Sequence, residues 1–357
     1  MKVNLIIKPR KNKYLANYEY YLYRHISEKE EVEIISKYTP IPEVITRLYY
    51  PFFVKYKIKN YGIKHITTPG LAYILNFINC KNSIVTCHDI TPLFLDYFTY
   101  LNRISFKYAI KGITKAERII AVSESTKKDI LKYFRYPEEK IKVIYLGVDH
   151  SIYRIYENIE EIKSRIKRIY KIGNNENILL YVGAEQPRKN LNTLIKAFYR
   201  LKKTMPETKL IKVGIPYWKG SREKLLKLIT QLNLQRDVIF TEFVPEKELP
   251  LFYNAADIFV FPSYYEGFGL PLLEAMACGC PVITTNKASI PEIVGNAAIK
   301  LDNPFDDELL AMCMREVLTD EELRRDIVKR GLKQVKKFSW EKYASDVYEI
   351  YKEVYEK

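Results

Sequence analysis

Residues 258–285 read I-F-V-F-P-S-Y-Y-E-G-F-G-L-P-L-L-E-A-M-A-C-G-C-P-V-I-T-T. The apolar run 258–261 has the composition of a buried strand. Gly267 and Gly269 follow, then Pro271, whose missing N–H costs nothing in the first turn of a helix. The stretch therefore predicts strand, glycine-bearing turn, helix. The amides of Phe268, Gly269 and Leu270 would head that helix, where N–H groups and the helix dipole favour an anion. Glu266 in the turn and Glu274 inside the helix stand eight apart. A carboxylate accepts two hydrogen bonds from a vicinal diol. Phosphate donors flanked by two diol-binding acids describe a nucleotide-sugar site. The plain alternative is a surface helix with solvated acids, but glycines, proline and acids all agree on the site.

Working outward, short apolar strands alternate with helical patterns twice. The first series falls near 3–7, 33–36, 64–67, 83–87, 118–122 and 142–144. The second falls near 177–182, 209–213, 237–240, 258–261, 281–284 and 297–300. This alternation predicts an α/β chain with two parallel sheets, each covered by helices. Two Rossmann-like domains follow, with the boundary between 147 and 173, where a charged helix over 160–171 bridges them. Ligands in such folds bind beyond the carboxyl ends of the strands, so the two domains are expected to face a shared cleft. The segment 340–357 reads as a helix with Tyr343, Val347, Ile350, Tyr351 and Val354 on one stripe.

A length of 357 residues suits two domains of ordinary size. The net charge of +15 is uneven: residues 1–170 hold 30 basic against 17 acidic residues, and the remainder 28 against 26. A basic half attracts nucleic acid, anionic lipid or phosphorylated substrates, and charge alone does not choose. Five cysteines without metal or disulfide spacing fit a reducing compartment. Met1-Lys2-Val3-Asn4 runs straight into a short apolar strand, so no leader is read. No run approaches a membrane span. The expectation is a cytoplasmic protein, with a peripheral position at the inner face of a membrane open. Asp-x-Asp is absent, so no metal is expected at a nucleotide diphosphate.

Four further segments carry chemistry. Arg188 and Lys189 precede a helix that Asn190 is expected to cap. Cations there oppose the helix dipole; the pair either meets an anion or forms a solvated basic turn. His88 and Asp89 end the strand S-I-V-T-C; either His88 faces the ligand, or it packs while Asp89 caps the next turn. The loop Pro9-Arg10-Lys11-Asn12-Lys13 is basic and lacks glycine. It either meets phosphate or acceptor, or is a solvated loop. Residues 47–64 interleave aromatics with Lys55, Lys57, Lys59 and Lys64 and contain no acid. Such a stretch suits an anionic membrane surface, stacked bases, or a helix with one aromatic core face.

The 261–285 stretch resembles the E-x7-E motif of family-4 retaining glycosyltransferases with the GT-B fold. A-E-R-I-I-A-V-S-E-S-T-K-K-D-I-L (116–131), I-K-V-I-Y-L-G-V-D (141–149), L-Y-V-G-A-E-Q-P-R-K-N-L-N-T-L-I-K-A-F (180–198) and K-F-S-W-E (337–341) are similar to the same family. The resemblance implies an acceptor-side domain over 1–160 and a nucleotide-sugar domain over 161–340. It also implies a C-terminal helix over 341–357 crossing back to the first domain. It implies a metal-independent transferase moving a hexose from a nucleotide diphosphate sugar, the co-substrate in place of a cofactor, to a glycan or lipid-linked hydroxyl. Its P-R-K-N-L and E-G-F-G-L-P wording leans towards mannosyltransferases. The implied roles are Glu266 on the donor sugar, Glu274 on the ribose, and Lys189 with Arg188 on the diphosphate. His88 lies near the donor sugar, and the backbone of Phe243 and Val244 borders the base. Gly183 is followed by Ala184 where many members have arginine, and Glu242 stands where a glycine is usual. The rival readings are a noncatalytic nucleotide-sugar-binding protein and, last, a nucleic-acid binder. No groove-reading module supports the latter, so no nucleic-acid partner is expected.

Overall fold

This computed structural model describes residues 1–10, 15–38, 43–58, 62–95, 100–216 and 220–356. Lys11, Asn12, Lys13 and Lys59, singled out above, lie outside them. The chain divides into two units: Met1–Gly147 with Ser339–Lys357, and Val148–Phe338.

The first unit holds β1 (Lys2–Ile6), β2 (Glu31–Ile35), β3 (Ile63–Ile66), β4 (Ser83–Cys87), β5 (Arg118–Ala121) and β6 (Ile141–Val143). They pair in parallel in the order β2-β1-β3-β4-β5-β6. The second unit holds β7 (Asn177–Val182), β8 (Thr208–Val213), β9 (Val238–Thr241), β10 (Ile258–Phe261), β11 (Val282–Thr285) and β12 (Ile299–Leu301). Their parallel order is β12-β11-β10-β7-β8-β9. These strands fall where the apolar periodicity predicts them, with ends shifted by two residues at most. Inner strands such as β4 and β10 are buried along their whole length. β10 reads as a continuous apolar run, I-F-V-F, because helices cover both faces of the sheet.

Strand order reverses once in each sheet, between β1 and β3 and between β7 and β10. Loops leaving two such strands diverge to opposite faces and open a crevice at the carboxyl edge. Each unit therefore carries its own switch point.

The first unit closes with the helix Trp340–Tyr355, introduced by Ser339, whose hydroxyl accepts from the Lys342 amide at 3.1 Å. Trp340 stacks on Tyr21 at 4.8 Å, and the Tyr351 hydroxyl lies 2.6 Å from His65 Nδ1. The other ring nitrogen of His65 meets Thr86 Oγ1 at 2.7 Å. Burial drops the His65 pKa to about 3, so this histidine is a neutral core link. The boundary falls after Gly147 rather than at 160. Residues that follow pack on the second unit: the Tyr156 amide donates to Asn254 Oδ1 at 3.0 Å, and Tyr153 packs edge-on against Tyr253.

The 47–64 stretch is not one surface element. Its first part belongs to the helix Glu43–Lys57. Lys64 sits on β3, buried, with Nζ donating to the Lys81 carbonyl at 2.6 Å. Its ammonium cannot meet a membrane, because the sheet has already used it. Among the described residues, no helix is long and apolar enough to cross a membrane.

Candidate active site

At the β7/β10 switch point two loops meet. One leaves β7 through Gly183 and tightens into the turn Pro187–Lys189 before the helix Leu191–Lys202. The other leaves β10 and enters the helix Leu270–Ala277. Gly269 sits before that helix at φ 110°, and a Cβ on it would lie 3.0 Å from Leu272 Cδ1. A side chain there is strained twice over, which is why this turn needs glycine. The loops are tied together. The Tyr264 amide donates to the Arg188 carbonyl at 2.9 Å, and Arg188 Nη1 donates to the Tyr265 carbonyl at 2.9 Å. Ser289 Oγ lies 2.9 Å from the Glu266 carbonyl and 2.8 Å from that of Phe268, fixing Glu266 from behind.

This bracing brings Glu266, Arg188 and Lys189 into one buried group. Glu266 Oε2 is 2.6 Å from Arg188 Nη1, and Oε1 is 2.6 Å from Lys189 Nζ. Burial alone would raise the Glu266 pKa. Arg188 and then Lys189 outweigh it and hold the carboxyl at about 2. Lys189 Nζ also lies 4.7 Å above the Phe261 ring. The anion that the structure sets beside the two cations is Glu266.

Glu274 lies within the Leu270–Ala277 helix and accepts from the Tyr253 hydroxyl at 2.7 Å. The residue keeps some exposed surface, yet the protein packed round its carboxyl pushes its pKa up to about 7. The Tyr253 bond opposes this rise and nearby Glu246 adds to it. The two acids of one motif are therefore held in opposite states. Glu266 is a fixed carboxylate, and Glu274 takes up a proton near neutrality.

Asn190 does not cap its helix as expected. It occupies the position before Leu191, but in the left-handed region at φ 57° and ψ 37°. Its amide donates to the carbonyls of Pro262 and Pro304 at 3.2 and 2.5 Å, and its oxygen accepts from Thr193 Oγ1 at 2.8 Å. It stitches loops together instead. Phe243 and Val244 follow the edge strand β9, two strands away from the Glu266 group, and the Phe243 ring is exposed. Glu242 lies 3.5 Å from Arg222, whose guanidinium stacks 4.2 Å over Phe240.

Sequence reasoning missed a second charged group in this unit. Glu185 is buried between Lys212 Nζ at 2.9 Å and Arg222 Nε at 2.5 Å. A lysine inside the apolar strand T-K-L-I-K-V was the available signal. The Tyr253 partner of Glu274 carried no signal, because it arrives from a different helix.

In the first unit, His88 Nε2 donates to the Thr67 carbonyl at 3.2 Å and its ring lies 4.1 Å from Tyr18. Burial lowers its pKa. Asp89 caps the short turn Thr91–Leu93, accepting from the Thr91 amide and hydroxyl at 3.1 and 2.8 Å. A missed acid lies nearby. Glu19 is fully buried and accepts from the Ala16 amide and the Thr67 hydroxyl, both at 2.8 Å, with Arg10 on the same carboxylate. Its sequence signal was only that of an acid in a first helical turn. At the β1/β3 switch point a cavity of about 330 Å³ is lined by Lys8, Arg47, Tyr38, Tyr73 and Phe106, among others. A larger cavity in the second unit, about 720 Å³, lies among Lys163, Asp257, Arg324 and Lys333 and contains none of the predicted site residues. Among the described residues, no group of three or more His, Cys, Asp or Glu has the placement to hold a metal ion.

The family model described as glycosyl transferases group 1 matches residues 162–334, and that of glycosyltransferase family 4 matches 16–152. The O-antigen chain mannosyltransferase B of Escherichia coli is 31% identical over 76% of this chain and 70% of its own length. A serotype-specific mannosyltransferase WbdA of the same organism is 31% identical over 72% of this chain, which spans only 32% of that longer protein. Among solved structures, Anabaena Alr3699/HepE in complex with UDP superposes with a TM-score of 0.78 at 20% identity, covering 98% of this chain and 99% of that one. The lipopolysaccharide glycosyltransferase WaaG gives 0.75 at 17%, over 98% and 99%. At these identities the structures establish the GT-B fold.

Proposed function

The chain belongs to the group 1, family-4 glycosyltransferases, and from that premise we propose a retaining, metal-independent transfer of a hexose from a nucleotide diphosphate sugar to a hydroxyl of a glycan or lipid-linked glycan. The observation that carries this reading is the Arg188–Lys189–Glu266 group beside the Leu270–Ala277 helix. Two cations and a helix start supply what a diphosphate needs. In this reading the diphosphate joins Glu266 as their counter-charge. Glu266 turns towards the hydroxyls of the donor hexose, and Glu274 receives the ribose diol. The backbone of Phe243 and Val244 borders the base. His88 is assigned to the donor sugar on the family resemblance alone.

The chemistry balances without a metal. The bond from C1 of the hexose to the diphosphate oxygen breaks, and the acceptor oxygen bonds to C1 on the same face. The acceptor proton passes to the departing phosphate. Lys189 and Arg188 meet the negative charge that grows there. Mannose is the preferred hexose, supported by the mannosyltransferases among the relatives. A cytoplasmic position at the inner face of a membrane completes the reading.

The test is a screen of nucleotide sugars for slow donor hydrolysis, which needs no acceptor. GDP-mannose, UDP-glucose and their relatives are offered in turn, and the anomer first released is read by NMR. Release of the donor's own anomer supports retention, and the opposite anomer ends it. Nucleotide binding without turnover of any donor or acceptor would instead favour the noncatalytic reading.

A further inference from the structure

We infer that the first unit docks on an anionic lipid surface through two neighbouring helices, each of which turns an apolar stripe to solvent. On the helix Glu43–Lys57, Tyr50 and Val54 are buried in the core, as an amphipathic helix requires. A second set, Ile45, Leu48, Phe52 and Tyr56, recurs at helical spacing and points away from it. Leu48, Phe52 and Tyr56 are 69%, 61% and 85% exposed. The helix Tyr100–Ile110 repeats the pattern with Tyr100, Ile104 and Tyr108, at 77%, 48% and 55%. Arg47 of the first helix donates to the Ser105 carbonyl of the second at 3.2 Å, so the two helices touch. Single exposed apolar residues are ordinary. Two periodic stripes on touching helices are more than scattered residues and are of the kind that marks a binding face.

Charge chooses the occupant. No Asp or Glu occurs between Glu43 and Asp89, nor between Asp96 and Glu117. Lys55, Lys57, Lys107 and Lys111 are exposed beside the stripes. Apolar rings and side chains with exposed lysines on the same helices match a bilayer, where acyl chains lie beneath anionic headgroups. A second copy of the chain would instead set cation against cation. Arg47, Tyr50 and Phe106 of the same helices line the 330 Å³ cavity at the β1/β3 switch point. Docking therefore holds that cavity about one helix diameter, ~10 Å, from the lipid surface. This deepens the proposed transferase by placing its acceptor on a lipid, and it rests on that reading only there.

The test is co-sedimentation of the full chain with phosphatidylcholine vesicles, with and without phosphatidylglycerol, at low and high salt. Binding is expected only to the anionic vesicles and is expected to fall with salt, which screens charges beyond about 10 Å. The pair Leu48→Ser/Phe52→Ser and the pair Ile104→Ser/Tyr108→Ser should each lower partitioning about tenfold or more. Changing Lys55, Lys57, Lys107 and Lys111 to Gln should lower it at least ~100-fold. Thermal unfolding and circular dichroism, measured alongside, confirm that each variant folds. The proposal is overturned if the wild type ignores anionic vesicles at low salt, or if both Ser pairs bind undiminished. It is equally overturned if the free chain is a dimer that the Ser pairs dissociate, which makes a second copy the occupant. Vesicle binding needs no turnover. An inactive chain that binds sinks only the transferase reading, and an active chain that does not bind sinks only this one.

Discussion

The two units solve one architectural problem with different chemistry. Each has a six-stranded parallel sheet, and each reverses its strand order once. At the β7/β10 reversal a glycine turn and a buried group of one carboxylate and two cations stand at the head of a helix. At the β1/β3 reversal the described loops hold Gly70 but no glycine at positive φ. Glu19 is held there mainly by neutral donors, and the neighbouring cavity is lined by tyrosines and two cations. A small rigid anion fits the first. A larger, variable and partly apolar ligand fits the second. In the proposed transferase the first reversal serves the donor and the second the acceptor.

The largest expected effect breaks this comparison at its two buried acids. Glu266→Gln leaves Arg188 and Lys189 side by side without the carboxylate that joins them, which in a buried site costs about 3–5 kcal/mol. Glu19→Gln keeps most hydrogen bonds to Glu19 and exposes only Arg10, itself one-third in solvent, so it should cost markedly less. A nucleoside diphosphate should restore more stability to Glu266→Gln than it adds to the wild type, because it supplies the missing charge. Thermal denaturation of the three proteins with and without nucleotide decides this. Equal melting of the two variants would mean that the Glu266 group is no more than an ordinary ion pair.

The contrast also explains what the sequence discloses. The strands and the Glu266 turn were legible because local rules force them: apolar runs for buried strands, glycine for a positive φ, proline for a first turn. The pairing of Glu266 with Arg188 was not legible, since residues 78 apart meet only through the order of β7 and β10. Tyr253 on Glu274 and Thr67 on Glu19 are hidden for the same reason. The 47–64 stretch misled in part because a lysine on a buried strand and one on a helix surface look alike in sequence. Lys64 and Lys57 are separated only by the fold.

A smaller effect should follow at the second acid of the motif. Glu274→Ala removes the acceptors for a ribose diol, and nucleoside diphosphate binding should weaken by about 1–3 kcal/mol. Calorimetry with the diphosphate and with its 2′,3′-dideoxy analogue is the check. Unchanged affinity, or an equal loss for both ligands, removes Glu274 from the ribose.

The acids also differ in the sign of their pH response. The folded pKa of Glu266 is about 2, below its ordinary 4.5. Its stabilisation is complete above 4.5 and is lost as pH falls through about 2. The folded pKa of Glu274 is raised from 4.5 to about 7. Its contribution to stability therefore falls as pH rises between those values. A diol that donates two hydrogen bonds selects the carboxylate form. Nucleotide affinity should then climb up to about tenfold per pH unit below 7 and level off above it. Ionisation of the diphosphate itself acts equally on Glu274→Gln, so the difference between the two titration curves isolates this group. Parallel curves would show that Glu274 does not titrate at the ligand.

The smallest expected effect is none at all. A diphosphate held by a metal needs carboxylates turned towards it. Here the acid nearest the cations, Glu266, is already engaged by Arg188 and Lys189, with both oxygens at 2.6 Å. Glu274 is bonded to Tyr253 and is half protonated near neutrality, which makes it a poor ligand for a hard cation. The positive charge that the leaving group requires is already in the chain, on two side chains and a helix start. Donor hydrolysis should therefore proceed at the same rate in excess chelator as in magnesium or manganese, whereas Lys189→Ala should slow it severely. Loss of turnover in chelator with recovery on adding either metal would reverse the assignment. It would mean that the donor half borrows charge from solution, and that the contrast between the two switch points is one of shape alone.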